Sequence, residues 1–303
     1  MTNTLQIDAK TKKKKRLDRG STIFYVSFMV FPVIQFLLFY LWVNLKSFGY
    51  AFLKPDTGAQ ISWTLTLENL TGWFTNPDKL NALMQTSKMS LLFYGVNLGL
   101  SIPLGLLFSY YVFKKLPLSG MFRIFLFIPS IIPAAAFVLS YRYLFNEVAH
   151  EVLSLPGIRF DKHPLIHVLF YNFYVSFGTS VLMYANKMFD ISPEVIEAGK
   201  LDGAVGFKEF WHIVLPLTFP TLSVFLVTGI ATIFTNQYNL FLFKINSKYD
   251  TLGYYLYILA GNTNGFEREI PPVAALGLIL TAIAVPLTFL VKYLLDKFGP
   301  SED

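Results

Sequence analysis

The sequence contains no cysteine, and only 15% of its 303 residues are charged. The lack of cysteine excludes disulfide bonds and metal sites with cysteine ligands. A soluble domain of this size would have about 25% charged residues, so the low charge, together with a hydrophobic fraction of 54%, excludes an ordinary soluble protein. No run shows the ten-residue alternation of apolar and polar residues found in membrane β-barrels. The composition therefore predicts an all-α, polytopic membrane protein.

The sequence also lacks the residue patterns that common enzyme sites need. It has no Gly-rich loop followed by Lys and Ser or Thr, so the chain cannot itself bind ATP through a Walker-type loop. His163 and His167 are four residues apart, a spacing that can hold a metal ion, and His150 and Glu151 lie upstream. No third ligand obviously joins the pair, so we favour interfacial histidines over a metal site. We predict no enzyme activity, metal or cofactor in this chain.

Six apolar segments are near 20 residues long, which is enough to cross a bilayer as a helix. They run over residues 23–45, 87–113, 122–145, 165–187, 217–243 and 271–294. Residues 1–21 form a basic arm, and the apolar run behind it continues too far for a cleaved signal peptide. The arm favours a position at the cytoplasmic lipid surface over nucleic-acid binding, so no nucleic-acid partner is expected.

Six spans place both termini on the same side, and the basic arm makes that side cytoplasmic. In this topology 15 of the 25 Lys and Arg residues belong to the inner side, although the outer loops are longer. Lys88, Arg142 and Lys187 lie near the predicted ends of spans, and the spans are otherwise almost free of charge. A carrier driven by protons or sodium usually has an acidic residue or a broken helix in the middle of a span. The absence of such acidic residues indicates that the energy for transport does not come from an ion gradient through this chain.

A polar island, residues 192–220, separates the fourth and fifth spans on the predicted inner side. Ser192 is placed to cap a helix that begins at Pro193, and Gly203 is placed to end it. A second short helix, with Phe207, Phe210 and Trp211 on its apolar side, is predicted to run to Leu215. The next membrane span is predicted to start at Pro216 and Pro220.

The island resembles the cytoplasmic loop of permease subunits from binding-protein-dependent ABC importers. The matching positions are Glu197, Ala198, Gly199, Gly203, Ile213, Leu215 and Pro216, with Asp202 beside the glycine and Glu194 in the first turn. Gly199 departs from the pattern, because the family usually has a second alanine there. This departure should loosen the short helix by up to about 1 kcal/mol.

The resemblance implies a type I permease fold and a transport subunit of the bacterial cytoplasmic (inner) membrane. The permease domain would cover 22–300, with a family core at 86–295, a coupling loop at 190–216 and a tail at 301–303. The implied partners are a second homologous permease, two ATPase subunits that bind ATP and magnesium, and an extracytoplasmic solute-binding protein. Residues 235–257 are similar to the maltose and glycerol-phosphate group, although the family's glycine-rich turn is replaced there.

Neutral polar residues recur at helical spacing in several spans. Such faces either form hydrogen bonds to neighbouring helices or line a water-filled pathway through the membrane. Hydroxyls, amides and aromatic rings suit a neutral sugar, so we expect a sugar or oligosaccharide; another solute of the same machine, or an ATP-independent carrier, is the alternative. The expected pathway residues are Asn97, Asn172, Tyr174, Ser176, Thr232, Thr235, Asn236 and Asn239.

Glycine and proline within the spans predict local packing features. Gly95 and Gly99 in span two are four residues apart, a spacing that lets another helix approach closely. Pro129 and Pro133 in span three predict a kink, because proline removes a backbone donor from the helix.

Overall fold

The computed structural model describes residues 19–55, 63–152, 156–261 and 270–300. Its long helices are α1 (helical from Arg19, with the apolar span Ile23–Ala51), α3 (Pro77–Phe113), α6 (Pro164–Phe189), α8 (Phe207–Thr232) and α11 (Ile270–Phe298). Shorter helices are α2 (Glu68–Thr75), α4 (Ser119–Ile131), α5 (Ala134–Ala149), α7 (Pro193–Leu201), α9 (Leu240–Phe243) and α10 (Leu252–Gly261). Strands β1 (Leu53–Pro55) and β2 (Trp63–Leu65) form an antiparallel pair.

Five of the described helices are long and apolar enough to cross a membrane, and α4 with α5 makes a sixth if the pair is one broken span. The chain divides into two units, an N-terminal unit that ends at Tyr50 and a second unit that begins at Ala51. In the N-terminal unit every described side chain from Ile23 to Gly49 is exposed. The basic arm before Arg19 lies outside the described residues.

The third predicted span, 122–145, is not one helix: α4 and α5 meet at 106°. Ile132, at the break, has an extended backbone (φ −74°, ψ 132°) and Pro133 follows it. A residue before proline is pushed out of the helical region, and proline itself offers no N–H to continue the helix. The break therefore falls at Pro133, whereas Pro129 is accommodated inside α4.

The fifth predicted span, 217–243, is wrong at both ends. Helix α8 already begins at Phe207, so the second short helix of the island is continuous with the span and Pro216 and Pro220 do not start it. A π-helical turn at Phe210–Val214 precedes Pro216. The helix ends at Thr232, and a turn over 233–239 follows.

Side-chain packing concentrates around α6, which contacts α3, α4 and α8. The backbones of α6 and α4 approach closely at Gly178, where an added Cβ would lie 2.7 Å from the carbonyl carbon of Leu126 on α4. The predicted packing glycines of span two behave differently: nothing described lies within 4 Å of a Cβ added at Gly95 or Gly99. Within the described chain, Gly95 and Gly99 are therefore not at a close helix contact, whereas Gly178 of α6 is.

The first predicted outer loop forms the β1–β2 hairpin and α2. Trp73 on α2 is buried, and its indole Nε1 donates to the carbonyl of Pro272, 2.9 Å away, at the start of α11. Lys54 on β1 forms an ion pair with Glu68, the first residue of α2. The Trp73 hydrogen bond fixes the loop against the start of α11, and the ion pair joins β1 to α2 within the loop.

The predicted alternative of a His163–His167 metal pair is not supported. His167 is buried, and its Nδ1 lies 3.0 Å from the hydroxyl of Tyr141. The same ring packs against Phe160, with ring centroids 5.6 Å apart, whereas His163 is exposed. No group of three acidic or histidine side chains that could hold a metal occurs among the described residues.

Candidate functional site

The island contains one short helix, α7, followed by a turn with two glycines. Pro193 is its first residue, as predicted, and Ser192 occupies the capping position. The Ser192 hydroxyl contacts the carboxylate of Glu194 instead of a backbone N–H, so the predicted side-chain cap is wrong. Gly203 has φ +81° and Gly206 has φ +62°, a left-handed backbone that favours glycine. The two glycines turn the chain from α7 into α8.

The helix α7 divides the predicted coupling residues into exposed and inward-facing groups. The exposed members are Glu194, Glu197, Ala198, Asp202 and Gly203. Gly199 is buried against Ile213, whose Cδ1 occupies the place that a Cβ at position 199 would take. Leu215 and Pro216 are half-buried within α8. The first group is available to a partner, and the second positions α7 on the membrane helices.

Several large apolar side chains of the island are also exposed, and the four most exposed are Leu201, Val205, Phe207 and Trp211. Leu201, at the end of α7, is 89% exposed, and Val205 in the turn is 64% exposed. Phe207 and Trp211 stack on each other with ring centroids 6.2 Å apart, and both are more than half exposed. Of the three residues predicted for the apolar side of this helix, Phe207, Phe210 and Trp211, only Phe210 is buried. An apolar surface of this kind next to exposed acids fits a protein contact.

A cavity of about 430 Å³ with uncharged polar and aromatic lining residues lies between α3, α6, α8 and the turn over 233–239. Of the described residues that line it, none is charged. Its aromatic walls include Phe93, Tyr94, Phe173, Phe225 and Tyr238. Its polar lining consists of hydroxyl and amide side chains: Asn97, Ser101, Asn172, Ser176, Thr179, Ser180, Thr228, Thr232 and Asn236.

The cavity contains five of the eight predicted pathway residues, namely Asn97, Asn172, Ser176, Thr232 and Asn236. Thr235 and Asn239 line an adjacent cleft that shares Asn172 and Asn236 with the cavity. They reach it from the turn after α8, so the predicted helical register was wrong for Thr235, Asn236 and Asn239. Tyr174 does not line either space; its ring stacks on Phe170 and packs against Phe137.

Asn172 holds the turn in place. Its Nδ2 donates to the carbonyl oxygens of Val168 and Tyr238, each 2.9 Å away, and its Oδ1 accepts from Nδ2 of Asn239 at 3.2 Å. Tyr238 and Asn239 both have positive φ, at 48° and 59°. The hydroxyl of Thr232 donates to the carbonyl of Thr228, 2.9 Å away on its own helix, which leaves the oxygen lone pairs of Thr232 able to accept a hydrogen bond.

Sequence reasoning missed a buried ion pair at the island. Glu209 is fully buried, and its carboxylate is bound by Lys114 Nζ, 2.9 and 3.0 Å from the two oxygens. The partners are 95 residues apart, so sequence spacing gave no pairing signal. One signal was available: Glu209 directly precedes the core residue Phe210. An acid at such a position needs a cation nearby.

Residues 101–299 match the family described as binding-protein-dependent transport system inner membrane component. The chain is 26% identical over 216 residues to a probable ABC transporter permease protein of Pyrococcus horikoshii, covering 66% of this chain and 69% of the relative. It is 23% identical to an sn-glycerol-3-phosphate transport system permease protein of Agrobacterium fabrum (69% and 72% covered). It is 22% identical to a multiple sugar-binding transport system permease protein of Streptococcus mutans (67% and 72%).

The fold is similar to a chain of a bacterial ABC transporter involved in the import of the acidic polysaccharide alginate. The TM-score is 0.74 at 18% sequence identity, and the likeness covers 92% of this chain and 96% of that chain. A second structure of a bacterial alginate ABC transporter, in complex with a periplasmic protein that carries an alginate pentasaccharide, matches equally well.

Proposed function

Because the chain belongs to the family of binding-protein-dependent transport system inner membrane components, we propose that it lines the solute path of an ATP-driven importer and that the solute is a sugar or oligosaccharide. As a member of that family, the chain is a multi-pass membrane transport subunit and not an enzyme. We further propose that the importer contains a second homologous permease, two ATPase subunits that bind ATP and magnesium, and an extracytoplasmic binding protein. Both termini of this chain would lie in the cytoplasm of a bacterium.

The uncharged cavity is the observation that carries the choice of solute. Several relatives are named for sugar transport, although one relative's name gives a phosphate ester and the structural neighbour imports an acidic polysaccharide. An anionic solute would favour Lys or Arg in the lining, because a buried negative charge needs a partner. The described lining has hydroxyls, amides and aromatic rings instead, which bind the hydroxyls and apolar faces of neutral sugars. We therefore propose a neutral sugar.

Uptake into proteoliposomes that contain the complete importer tests this assignment. Neutral and acidic oligosaccharides would be offered with the cognate binding protein, and the neutral class should be taken up. Thr232→Val keeps the shape of the side chain but removes the hydroxyl from the cavity. The loss of one hydrogen bond of about 0.5–1.5 kcal/mol should raise the half-saturating sugar concentration about 2- to 10-fold.

Thr281→Val is the matched control, since Thr281 is exposed and bonds to its own helix carbonyl at Gly277 as Thr232 does at Thr228, but lies outside the cavity. Unchanged uptake in Thr232→Val, or an equal loss in Thr281→Val, would contradict a role for the cavity. Preferential uptake of acidic sugars would overturn the proposed solute class.

We propose that the exposed side of α7 carries the coupling to the ATPases. Glu197 is exposed and offers a carboxylate for a charge-assisted hydrogen bond to a basic residue of the partner. Glu197→Lys should abolish sugar-dependent stimulation of ATP hydrolysis and uptake, while membrane insertion stays normal. Glu147→Lys, a change at another exposed acid far from the island in sequence, is the control. Normal uptake in Glu197→Lys would refute this part of the proposal.

A further inference from the structure

The buried ion pair at the start of α8 joins segments that are distant in sequence. Glu209 lies in the first turn of α8, and Lys114 caps the C-terminal end of α3. The dipole of a helix favours an acid at its N-terminus and a base at its C-terminus, so both ends of the pair are in favourable positions. The Lys114 side chain is 27% exposed, whereas that of Glu209 is fully buried. The carboxylate therefore depends on Lys114 for its charge compensation.

Tyr110 on α3 completes the contact. Its hydroxyl donates to the carbonyl of Gly206, 2.9 Å away in the turn after α7, and also lies 3.3 Å from Oε1 of Glu209. Its ring packs against Phe210 with centroids 5.1 Å apart. We call Tyr110, Lys114 and Glu209 the ionic clamp. The clamp fixes both the turn and the first residues of α8 to α3.

The clamp adds a polar connection between the island and α3. The island is joined through the backbone to α6 and α8, and Leu106 of α3 already packs in one apolar cluster with Ile196 and Phe210. Closer to the N-terminal end of α3, Tyr94, Asn97 and Ser101 line the uncharged cavity described above. The distance along the helix from Asn97 to Lys114 is about 25 Å at 1.5 Å per residue.

We propose that the ionic clamp transmits movement of the island to the wall of the cavity formed by α3. Glu209 and Lys114 are then positioning residues: they do not contact the solute or ATP, but they keep α3 moving together with α7. This inference rests on the proposed function, because it presupposes that ATPase partners move the island. Without the clamp, only apolar packing such as that of Leu106 would hold α3 to the island, so α3 would follow the island less closely and more ATP would be hydrolysed for each solute molecule moved.

A double neutral variant, Glu209→Gln with Lys114→Met, removes the charges without leaving one of them buried alone. In the complete importer in proteoliposomes, we expect the same melting temperature and half-saturating sugar concentration as in the wild type. The number of ATP molecules hydrolysed per sugar transported should rise about 5-fold or more, which is the lower end of usual coupling strengths. The control neutralises an exposed ion pair at the hairpin, with Lys54→Met and Glu68→Gln, and should leave this ratio unchanged.

A covalent rescue separates coupling from mere stability. The natural chain contains no cysteine, so Lys114→Cys with Glu209→Cys can be bridged specifically by a short bismaleimide. The unbridged cysteine variant should show the raised ATP-to-sugar ratio, and bridging should return it toward the wild-type value. An unchanged ratio in the double neutral variant, or arrest of transport by the bridge, would overturn the clamp. If the wild-type complex shows no ATP-driven uptake, the proposed function fails instead.

Discussion

The contact between α4 and α6 allows a prediction about a single methyl group. Gly178→Ala would place a Cβ 2.7 Å from the carbonyl carbon and 3.3 Å from the Cα of Leu126, and closer still to its carbonyl oxygen. Side-chain Cβ atoms do not approach other heavy atoms within 3.0 Å, and here the obstacle is backbone. The two backbones must therefore move apart by about 1 Å or more at this contact. Overpacking of this kind typically costs about 1–3 kcal/mol.

The same substitution has an opposing contribution. Alanine stabilises a helix interior by roughly 0.5–1 kcal/mol relative to glycine, because the unfolded chain has less conformational freedom. The net effect of Gly178→Ala should still be destabilising, by about 1–2 kcal/mol. Thermal unfolding of the detergent-solubilised protein, followed by tryptophan fluorescence, would detect this as a lower melting temperature.

Gly95→Ala is the control that isolates the helix contribution. Gly95 lies inside α3, and nothing described lies within 4 Å of a Cβ added there. This variant should be as stable as the wild type or slightly more stable. The reasoning would be refuted if Gly178→Ala were as stable as the wild type, or if Gly95→Ala lost as much stability as Gly178→Ala.

Two further predictions concern buried polar groups. Burial raises the pKa of Asp250 from 3.8 to about 6, so this group opposes folding increasingly as the pH rises from about 4 to above 6. Asp250→Asn should therefore stabilise the protein more at pH 7.5 than at pH 5, with a difference of at most about 1.5 kcal/mol between the two pH values; an equal gain at both pH values would contradict it. Ser90→Ala should cost about 1–3 kcal/mol, because the buried Ser90 hydroxyl accepts the backbone N–H of Leu252 at 2.9 Å. Ser130→Ala, at an exposed serine, is the control for the same melting experiment and should change the stability little.

Hydropathy located the apolar segments because the helices that cross a membrane need about 20 apolar residues regardless of their neighbours. The all-α permease fold predicted from them and from the island is confirmed by the family match and by the structural likeness. Hydropathy could not show where the fifth span ends, because the residues beyond the end of the helix include apolar ones such as Phe241 and Leu242. The end at Thr232 is set by a local competitor: Oδ1 of Asn236 accepts the N–H of Tyr238 at 2.9 Å, a turn that replaces helical bonding.

The polar residues of the cavity were visible in the sequence, but their arrangement was not. The stripe on α6 was predictable, since Asn172 and Ser176 are one helical turn apart. Asn236 and Asn239 reach the same region from a turn, where positive φ at Asn239 depends on the bond from its own side chain to Asn172. Contacts of this kind join residues 67 positions apart, and periodicity within one segment carries no information about them.

Gly199 shows how a local rule and a tertiary contact can disagree. Considered within α7 alone, glycine in place of alanine weakens the helix. In the folded chain the missing methyl makes room for Cδ1 of Ile213, and Cγ1 of Ile213 lies 3.6 Å from the position of the absent Cβ. The contact presses the buried side of α7, which includes Ile196, onto the start of α8. The helix thus exchanges some intrinsic stability for closer packing against the segment that carries Glu209, and a tightly packed α7 is better suited to transmit a push than a loosely attached one.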